Sequence, residues 1–353
     1  MSKKTPQKIV VSGIQPTGRL HIGNYLGAVK NWLEIQDDPN YRCFFFIADW
    51  HSMTVDYKPS EKRRQVQNLT ADLLALGLDP EKVTLFAQSD VLDHAELTWI
   101  FNCLTPMSEL ERMTQYKDKA LRHQKNVNAG LFTYPILQAA DILMYKGDLV
   151  PVGADQVQHV ELTRDAARWF NRRFGAVFPE TKPLLTKSAK IRSLTEPTAK
   201  MSKSHGEKSC LFLDDSPEEI LDKMKKIPTE ATGLLKMTEQ EVDEAITTLE
   251  GKEPSEELKG MAGVWNLISL VREFGSLEES QDIENNQPIR YGDLKKRAAE
   301  LVSDHLADFR ERRADIKTEE IEKVLTAGAE RSRSISAETM KQVRDAAGLG
   351  QRR

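Results

Sequence analysis

Residues Cys43 to Ala48 read Cys-Phe-Phe-Phe-Ile-Ala, an apolar run that leaves no position for water. A strand of this kind must be covered on both faces, which is the situation of a parallel sheet between layers of helices. Three further runs repeat the signal: Lys8 to Ser12, β-branched and closed by Gly13, then Val83 to Gln88 and Leu149 to Val152. Helical periodicity fills the intervals. It begins at Leu20, with Ile22, Leu26, Val29 and Leu33 in step, and recurs over Ser60–Gly77, with Ser60 as N-cap and Gly77 as stop. It continues over Asp93–Leu104, Thr105–Gln124 and Tyr134–Tyr145, and from a cap at Asp155 to about Phe174. This alternation predicts an α/β chain with a doubly wound parallel sheet, whose ligands sit at the carboxyl ends of the strands. After Ser204 no strand pattern recurs. Ser216–Lys226, Thr238–Glu250, Ser255–Phe274, Tyr291–Arg312 and the stretch from Thr318 onward read as helices, which predicts an all-helical domain over 206–353 behind a sheet domain over 1–205.

Composition narrows the class without choosing a function. With 353 residues, 39% hydrophobic and 29% charged, the chain has the profile of a water-soluble protein of two domains. No apolar run approaches the roughly 20 residues that span a bilayer, and the basic N-terminus lacks the apolar segment of a secretory signal. Cys43, Cys103 and Cys210 are too few and too scattered for a disulfide framework or a metal ribbon, so reduced thiols and a cytoplasmic setting are expected, with no protein-held metal. A net charge of −4 gives no overall attraction to nucleic acid. RNA contact would have to use local patches such as Lys62-Arg63-Arg64 or Arg310 to Arg313, and such clusters are more often solvated helix faces.

Two short stretches carry the chemistry. Gly13-Ile14-Gln15-Pro16-Thr17-Gly18-Arg19-Leu20-His21-Ile22-Gly23-Asn24 is a strand-to-helix turn whose glycines let the backbone approach a ligand. A turn of this kind aims free N–H groups and the positive end of a helix at what lies above it, which suits phosphate. His21 and Asn24, three apart, can face one point. Lys200-Met201-Ser202-Lys203-Ser204, with Pro197 before it, reads as a mobile basic surface loop. Either stretch alone has an ordinary reading, as a plain βα turn or a solvated lysine loop.

Together, in this order, they resemble the "HIGH" and "KMSKS" signatures of class I aminoacyl-tRNA synthetases, the second letter for letter, the first with Asn24 at its last place. Glu111 to Lys117, Leu131 to Leu143, Pro151 to Gln156 and His159 to Asp165 narrow the resemblance to the bacterial-type tryptophanyl-tRNA synthetases. It covers most of Ile9 to Ser204 and continues more weakly to Gly348-Leu349-Gly350. It implies a Rossmann-like catalytic domain, activation of L-tryptophan by ATP with Mg²⁺, transfer to tRNA(Trp), a homodimer, and a helical part that reads the anticodon. The final helix would pack back on the catalytic domain.

The same resemblance assigns roles. Asp141 would accept the indole N–H; Tyr134 and Gln156 would hold the α-ammonium, and His51 would lie beside the pocket. Gln15, Pro16, Thr17, Gly23, Asn24, Gly153, Asp155, Ile191, Met201, Ser202 and Ser204 would line ATP. Lys119, Lys200 and Lys203 would neutralise its phosphates, with Gln15 also placed among the catalytic groups. The residue chemistry suits these roles: tryptophan offers a single polar side-chain group, an N–H donor. Asp141 is a lone carboxylate between Ala139-Ala140 and Ile142-Leu143, costly to bury without a partner. Three departures stand out. Gln138 replaces the Met of many relatives, Ala154 replaces a Glu, and His21 is closer to the general class I signature than the Thr common among tryptophan enzymes. Three rival readings remain: a tyrosyl-tRNA synthetase, a non-charging paralogue that binds tryptophan or nucleotide, and a nucleotidyltransferase for a small substrate.

Overall fold

The computed structural model describes residues 6–113, 127–153, 156–186, 189–249 and 252–350. The chain divides into two compact units, one from Met1–Gly18, Lys30–Lys187 and Ile316–Arg353, the other from Arg19–Val29 and Ser188–Asp315.

The first unit is built on five strands, β1 (Lys8–Ile14), β2 (Tyr41–Ile47), β3 (Val83–Ala87), β4 (Leu149–Val152) and β5 (Lys182–Leu185), in the order β3-β2-β1-β4-β5. Every pairing is parallel. Strand order reverses between β1 and β4, so the switch point of the sheet, where ligands bind in folds of this type, lies above those two strands. The β2 run is buried from Cys43 to Ile47 and is covered by rings on both sides: Trp32 stacks on Phe45 at 4.3 Å and Tyr145 on Phe44 at 4.8 Å. At the end of β1, Gly13 is required by space, since a Cβ there would come within 2.5 Å of the Phe46 ring.

Four of the strands stand where the apolar runs placed them. β5 was not foreseen. Its sequence, Lys-Pro-Leu-Leu, is only partly buried and contains Pro183, which an edge strand tolerates and a central one does not. Several helix boundaries also differ from expectation. The helix expected from Ser60 starts at Pro59, with Lys58 at the N-cap position and proline in the first turn, where its missing N–H costs nothing. The helix expected from Tyr134 starts at Ala129, because the Asn128 side chain accepts from Leu131 N–H at 2.9 Å and caps it; Pro135 then falls inside the helix. Of the helix expected over Thr105–Gln124, Met107–Glu111 is seen, and residues 114–126 lie outside the described ones. The 30-residue helix Thr318–Ala347 belongs to the first unit. It lies against β3 so closely that a Cβ at Gly328 would sit 1.8 Å from the Leu85 carbonyl oxygen. Ser336 donates to Asp93 at 2.7 Å, and Arg344 forks onto Glu96 at 2.7 and 2.6 Å.

The second unit is helical. Pro217–Lys225, Glu239–Thr247 and Glu256–Phe274 begin at Ser216, Thr238 and Ser255, each side chain accepting from the backbone three residues on. Glu256–Phe274 is its core, buried from Gly260 to Val271. The helix expected over Tyr291–Arg312 is two, Tyr291–His305 and Ala307–Asp315, and Leu277–Asn285 is an additional helix.

Candidate functional site

In the first unit, polar side chains converge on one carboxylate. Tyr134, Gln138 and Asp141 fall at i, i+4 and i+7 of the Ala129–Met144 helix, hence on one face. Asp141 is fully buried and is held by three protein donors. Gln88 Nε2 and His94 Nδ1 each lie 2.7 Å from Oδ1, and His51 Nε2 lies 2.7 Å from Oδ2. Burial by itself pushes the carboxyl up, but hydrogen bonds and charge from His51 and His94 outweigh it and hold the group at about 2. Asp141 is therefore ionised and accepts only, so each imidazole nitrogen facing it carries the proton. A carboxylate has about four acceptor positions. Among the described residues Oδ1 has two donors and Oδ2 one, which leaves one position on Oδ2, beside His51.

The surrounding elements explain how the cluster is held. Gln88 follows β3 directly and opens a short 3₁₀ turn; its amide oxygen accepts from Trp50 N–H at 3.2 Å, which turns its NH₂ toward Asp141. Asp49, just after β2, ties the end of that strand to that of β3 by accepting from Ser89 N–H at 3.0 Å and Ser89 O–H at 2.5 Å. His51 opens a short 3₁₀ turn after β2 and meets the Tyr134 ring edge-on at 6.3 Å. The Tyr134 hydroxyl lies 3.0 Å from His159 Nε2, and burial pushes it up to about 12, so it stays protonated. Gln138 is half-buried one turn before Asp141 on the same helix. Gln156 is half-buried at the foot of the Val157–Phe174 helix, its N–H donating to the Gly153 carbonyl at 3.0 Å. Gln15 and Pro16 are at least half-buried in the loop after β1, and Thr17 is exposed there. Lys119, Ala154 and Asp155 lie outside the described residues.

The second unit gathers His21, Gly23, Asn24 and the lysine loop. Backbone bonds from Ile22 N–H to Leu211 (2.9 Å) and from Leu213 N–H to Leu20 (3.0 Å) stitch the His21 segment to Leu211–Leu213. Asn24 Oδ1 accepts from His21 N–H at 3.3 Å, the local contact that their spacing allowed. Met201 N–H bonds to Ile191 and Ser193 N–H to Ala199, folding residues 191–201 back on themselves. The lysine loop is less solvated than its composition suggests. Met201 is buried as an anchor and packs toward Gly23, Ser202 and Lys203 are half-buried, and Lys200 and Ser204 are exposed. Lys203 Nζ donates to the Arg19 carbonyl at 3.1 Å. The Arg19 guanidinium in turn lies over the Phe212 ring at 4.2 Å and pairs with Asp214 and Asp215. Sequence reading missed Arg19, as it missed Gln88, His94, Tyr145 and His159.

His21 is buried, and burial, followed by the charges of Lys203 and Lys200, lowers its imidazole from 6.5 to about 4. The unfolded chain thus binds this proton more readily than the folded one. Stability is full above about pH 6.5 and falls as the pH drops toward 4, by on the order of 3 kcal/mol for this group. Thermal unfolding at pH 7 and pH 4.5 tests this. The loss on acidification should be smaller in His21→Gln than in wild type, and equal losses would assign the slope to other groups.

The model of the tRNA synthetases class I (W and Y) matches residues 3–307. A tryptophan–tRNA ligase of Caldanaerobacter subterraneus is 43% identical over 344 residues, covering 97% of this chain and 98% of the relative, and one of Helicobacter pylori is 40% identical over 346 residues, covering 97% and 99%. The crystal structure of the tryptophanyl-tRNA synthetase of Campylobacter jejuni complexed with ADP and tryptophan superposes with a TM-score of 0.78 at 31% identity, covering 97% of this chain and 100% of that one. Parallel sheet, paired signatures and full-length similarity lead to one conclusion: the chain belongs to the class I tRNA synthetases of the tryptophan and tyrosine group, and within it to the bacterial-type tryptophanyl-tRNA synthetases.

Proposed function

We propose that this chain activates L-tryptophan with ATP to tryptophanyl-adenylate and pyrophosphate, then transfers tryptophan to the terminal adenosine of tRNA(Trp). The observation that carries the amino-acid assignment is Asp141, an ionised carboxylate in an apolar helix with one acceptor position left on Oδ2. The indole N–H is the donor that fits it. If Tyr134 spends its O–H on His159, its oxygen accepts from the α-ammonium, and the Gln156 amide oxygen does the same.

The tryptophan carboxylate attacks the α-phosphorus of ATP, a new P–O bond forms, and the bond to the pyrophosphate oxygen breaks. No enzyme side chain needs to become covalently attached. Catalysis is positioning and charge stabilisation, the work of groups like His21, Asn24, Lys200 and Lys203. Gln15, Pro16, Thr17, Gly153 and Ile191 are assigned to the nucleotide, and Lys119 and Asp155 keep the roles the resemblance gives them. The Mg²⁺ would travel on the phosphates, which commonly hold it with one or two carboxylates and water. In the second step a ribose hydroxyl of tRNA, by class I resemblance the 2′-OH, attacks the activated carbonyl and displaces AMP. We assign the catalytic steps to residues 1–205 and anticodon reading to the helices of 206–353, in a cytoplasmic homodimer. No described helix is long and apolar enough to cross a membrane.

ATP–pyrophosphate exchange across several amino acids, followed by tRNA charging, tests the proposal. Exchange and charging are expected with tryptophan. Exchange with tyrosine instead would transfer the chain to the tyrosine branch, and tryptophan binding without exchange would make it a non-charging paralogue.

A further inference from the structure

His94 is fully buried between the rings of Phe46 and Phe86, each with its centroid 6.2 Å away. It reaches Asp141 through Nδ1 at 2.7 Å and the Tyr145 hydroxyl through Nε2 at 2.8 Å. Because the Asp141 carboxylate can only accept, Nδ1 carries a proton. Burial, with the Asp141 charge behind it, raises the Tyr145 hydroxyl well above its ordinary value, so Tyr145 stays a neutral hydroxyl in hydrogen-bond contact with Nε2. Tyr145 is itself held by stacking on Phe44 at 4.8 Å. The imidazole is thus fixed in orientation from the side away from the carboxylate, as a catalytic imidazole is fixed by its own partner.

We infer that His94, braced by Tyr145, is a specificity-determining positioning residue that aims Asp141 at the indole N–H. The inference rests on Asp141 being the acceptor for tryptophan. With His94 and Gln88 both on Oδ1, the remaining acceptor position is confined to Oδ2. Without the His94 donor, Oδ1 regains an unfilled position and the carboxylate is free to turn about its terminal torsion, which is broad and weakly restrained. The pocket would still admit an indole-sized ring but would discriminate less against one that lacks the N–H.

The test uses the full chain and compares tryptophan with 3-benzothienylalanine, which keeps the ring shape and has sulfur in place of N–H. The readout is the ratio of their kcat/KM values in pyrophosphate exchange, with KM for ATP beside it. Asp141→Asn should lower the ratio by about tenfold to a hundredfold, the range of a hydrogen bond to a charged group. His94→Leu should approach that loss, and Tyr145→Phe, which removes the bracing hydroxyl and keeps the ring, should lower the ratio several-fold. KM for ATP should stay within about twofold throughout, a pattern that general loosening of the fold would not give. His94→Gln, which can still donate to Oδ1, should restore part of the ratio. A wild-type ratio in both His94→Leu and Tyr145→Phe, with the ratio lost in Asp141→Asn, would overturn the role of His94 alone. A wild-type ratio in Asp141→Asn would overturn the reading of Asp141 itself, and this inference with it. If His94→Leu does not fold, Tyr145→Phe decides.

Discussion

Asp141→Ala is expected to lower kcat/KM for tryptophan in pyrophosphate exchange by roughly 10³–10⁴-fold, while KM for ATP changes by less than about threefold. Sites built to bond a polar group can reject a partner lacking it by ~10⁴–10⁵-fold, and removing the protein's half of the bond should approach that range. The structure adds a second consequence. Asp141 is also the common acceptor for His51, His94 and Gln88, so its removal leaves three buried donors without their acceptor. Breaking a buried, charge-assisted cluster from one side costs about 3–5 kcal/mol, so the variant should melt measurably lower than wild type. The two effects separate by substrate. Lost stability lowers the amount of active enzyme and reduces tryptophan and ATP parameters alike, whereas lost recognition raises KM for tryptophan selectively. Tryptophan kinetics and ATP affinity measured on the folded fraction decide. Near-normal tryptophan affinity in folded Asp141→Ala would leave Asp141 a structural carboxylate and reopen the choice of amino acid.

Periodic signals made the sheet legible, and their absence hid the rest. Cys43 to Ala48, Lys8 to Ser12, Val83 to Gln88 and Leu149 to Val152 announced four strands because central parallel strands need continuous apolar sequence. β5, at the edge, needs no such run and left no mark. In the site, Tyr134 and Asp141 could be paired from sequence because seven residues on a helix return to the same face. Gln88 and His94 could not, since each is an unremarkable polar residue next to the end of a strand or the start of a helix. Their partner stands 53 and 47 positions away, and only the closed sheet brings them to it. The lysine loop is less exposed than its composition suggests for a related reason. Two lysines and two serines suggest solvent, but Met201 is buried, and Arg19, at the other end of the family signature, provides the carbonyl that holds Lys203. Partial exposure of the motif follows from tertiary contact, which composition does not encode.

That contact sets up the second large effect. Lys203→Ala is expected to lower the rate of tryptophan activation by about 10²–10³-fold, the range for removing one preorganised group that stabilises charge developing in a transition state. ATP binding should weaken much less, by under about fivefold, because the additional charge on the former bridging oxygen of the departing pyrophosphate develops only during the reaction. Lys203 is suited to the part. Burial lowers its ammonium from the ordinary lysine value, a sign that it is already partly stripped of water, and a charge in such surroundings acts more strongly than a solvated one. Its bond to the Arg19 carbonyl keeps it near the His21 segment at a cost of about 1 kcal/mol if lost, too little to unfold the chain. Lys200 is exposed, and its removal should matter less. Single-turnover formation of the adenylate, beside equilibrium binding of ATP, separates the rate from the affinity. Equal activity of Lys203→Ala and wild type would refute the role. A rate loss matched by an equal loss of ATP affinity would make Lys203 a binder of the ground state, and Lys203→Arg, which keeps the charge but changes its reach, should fall between wild type and alanine.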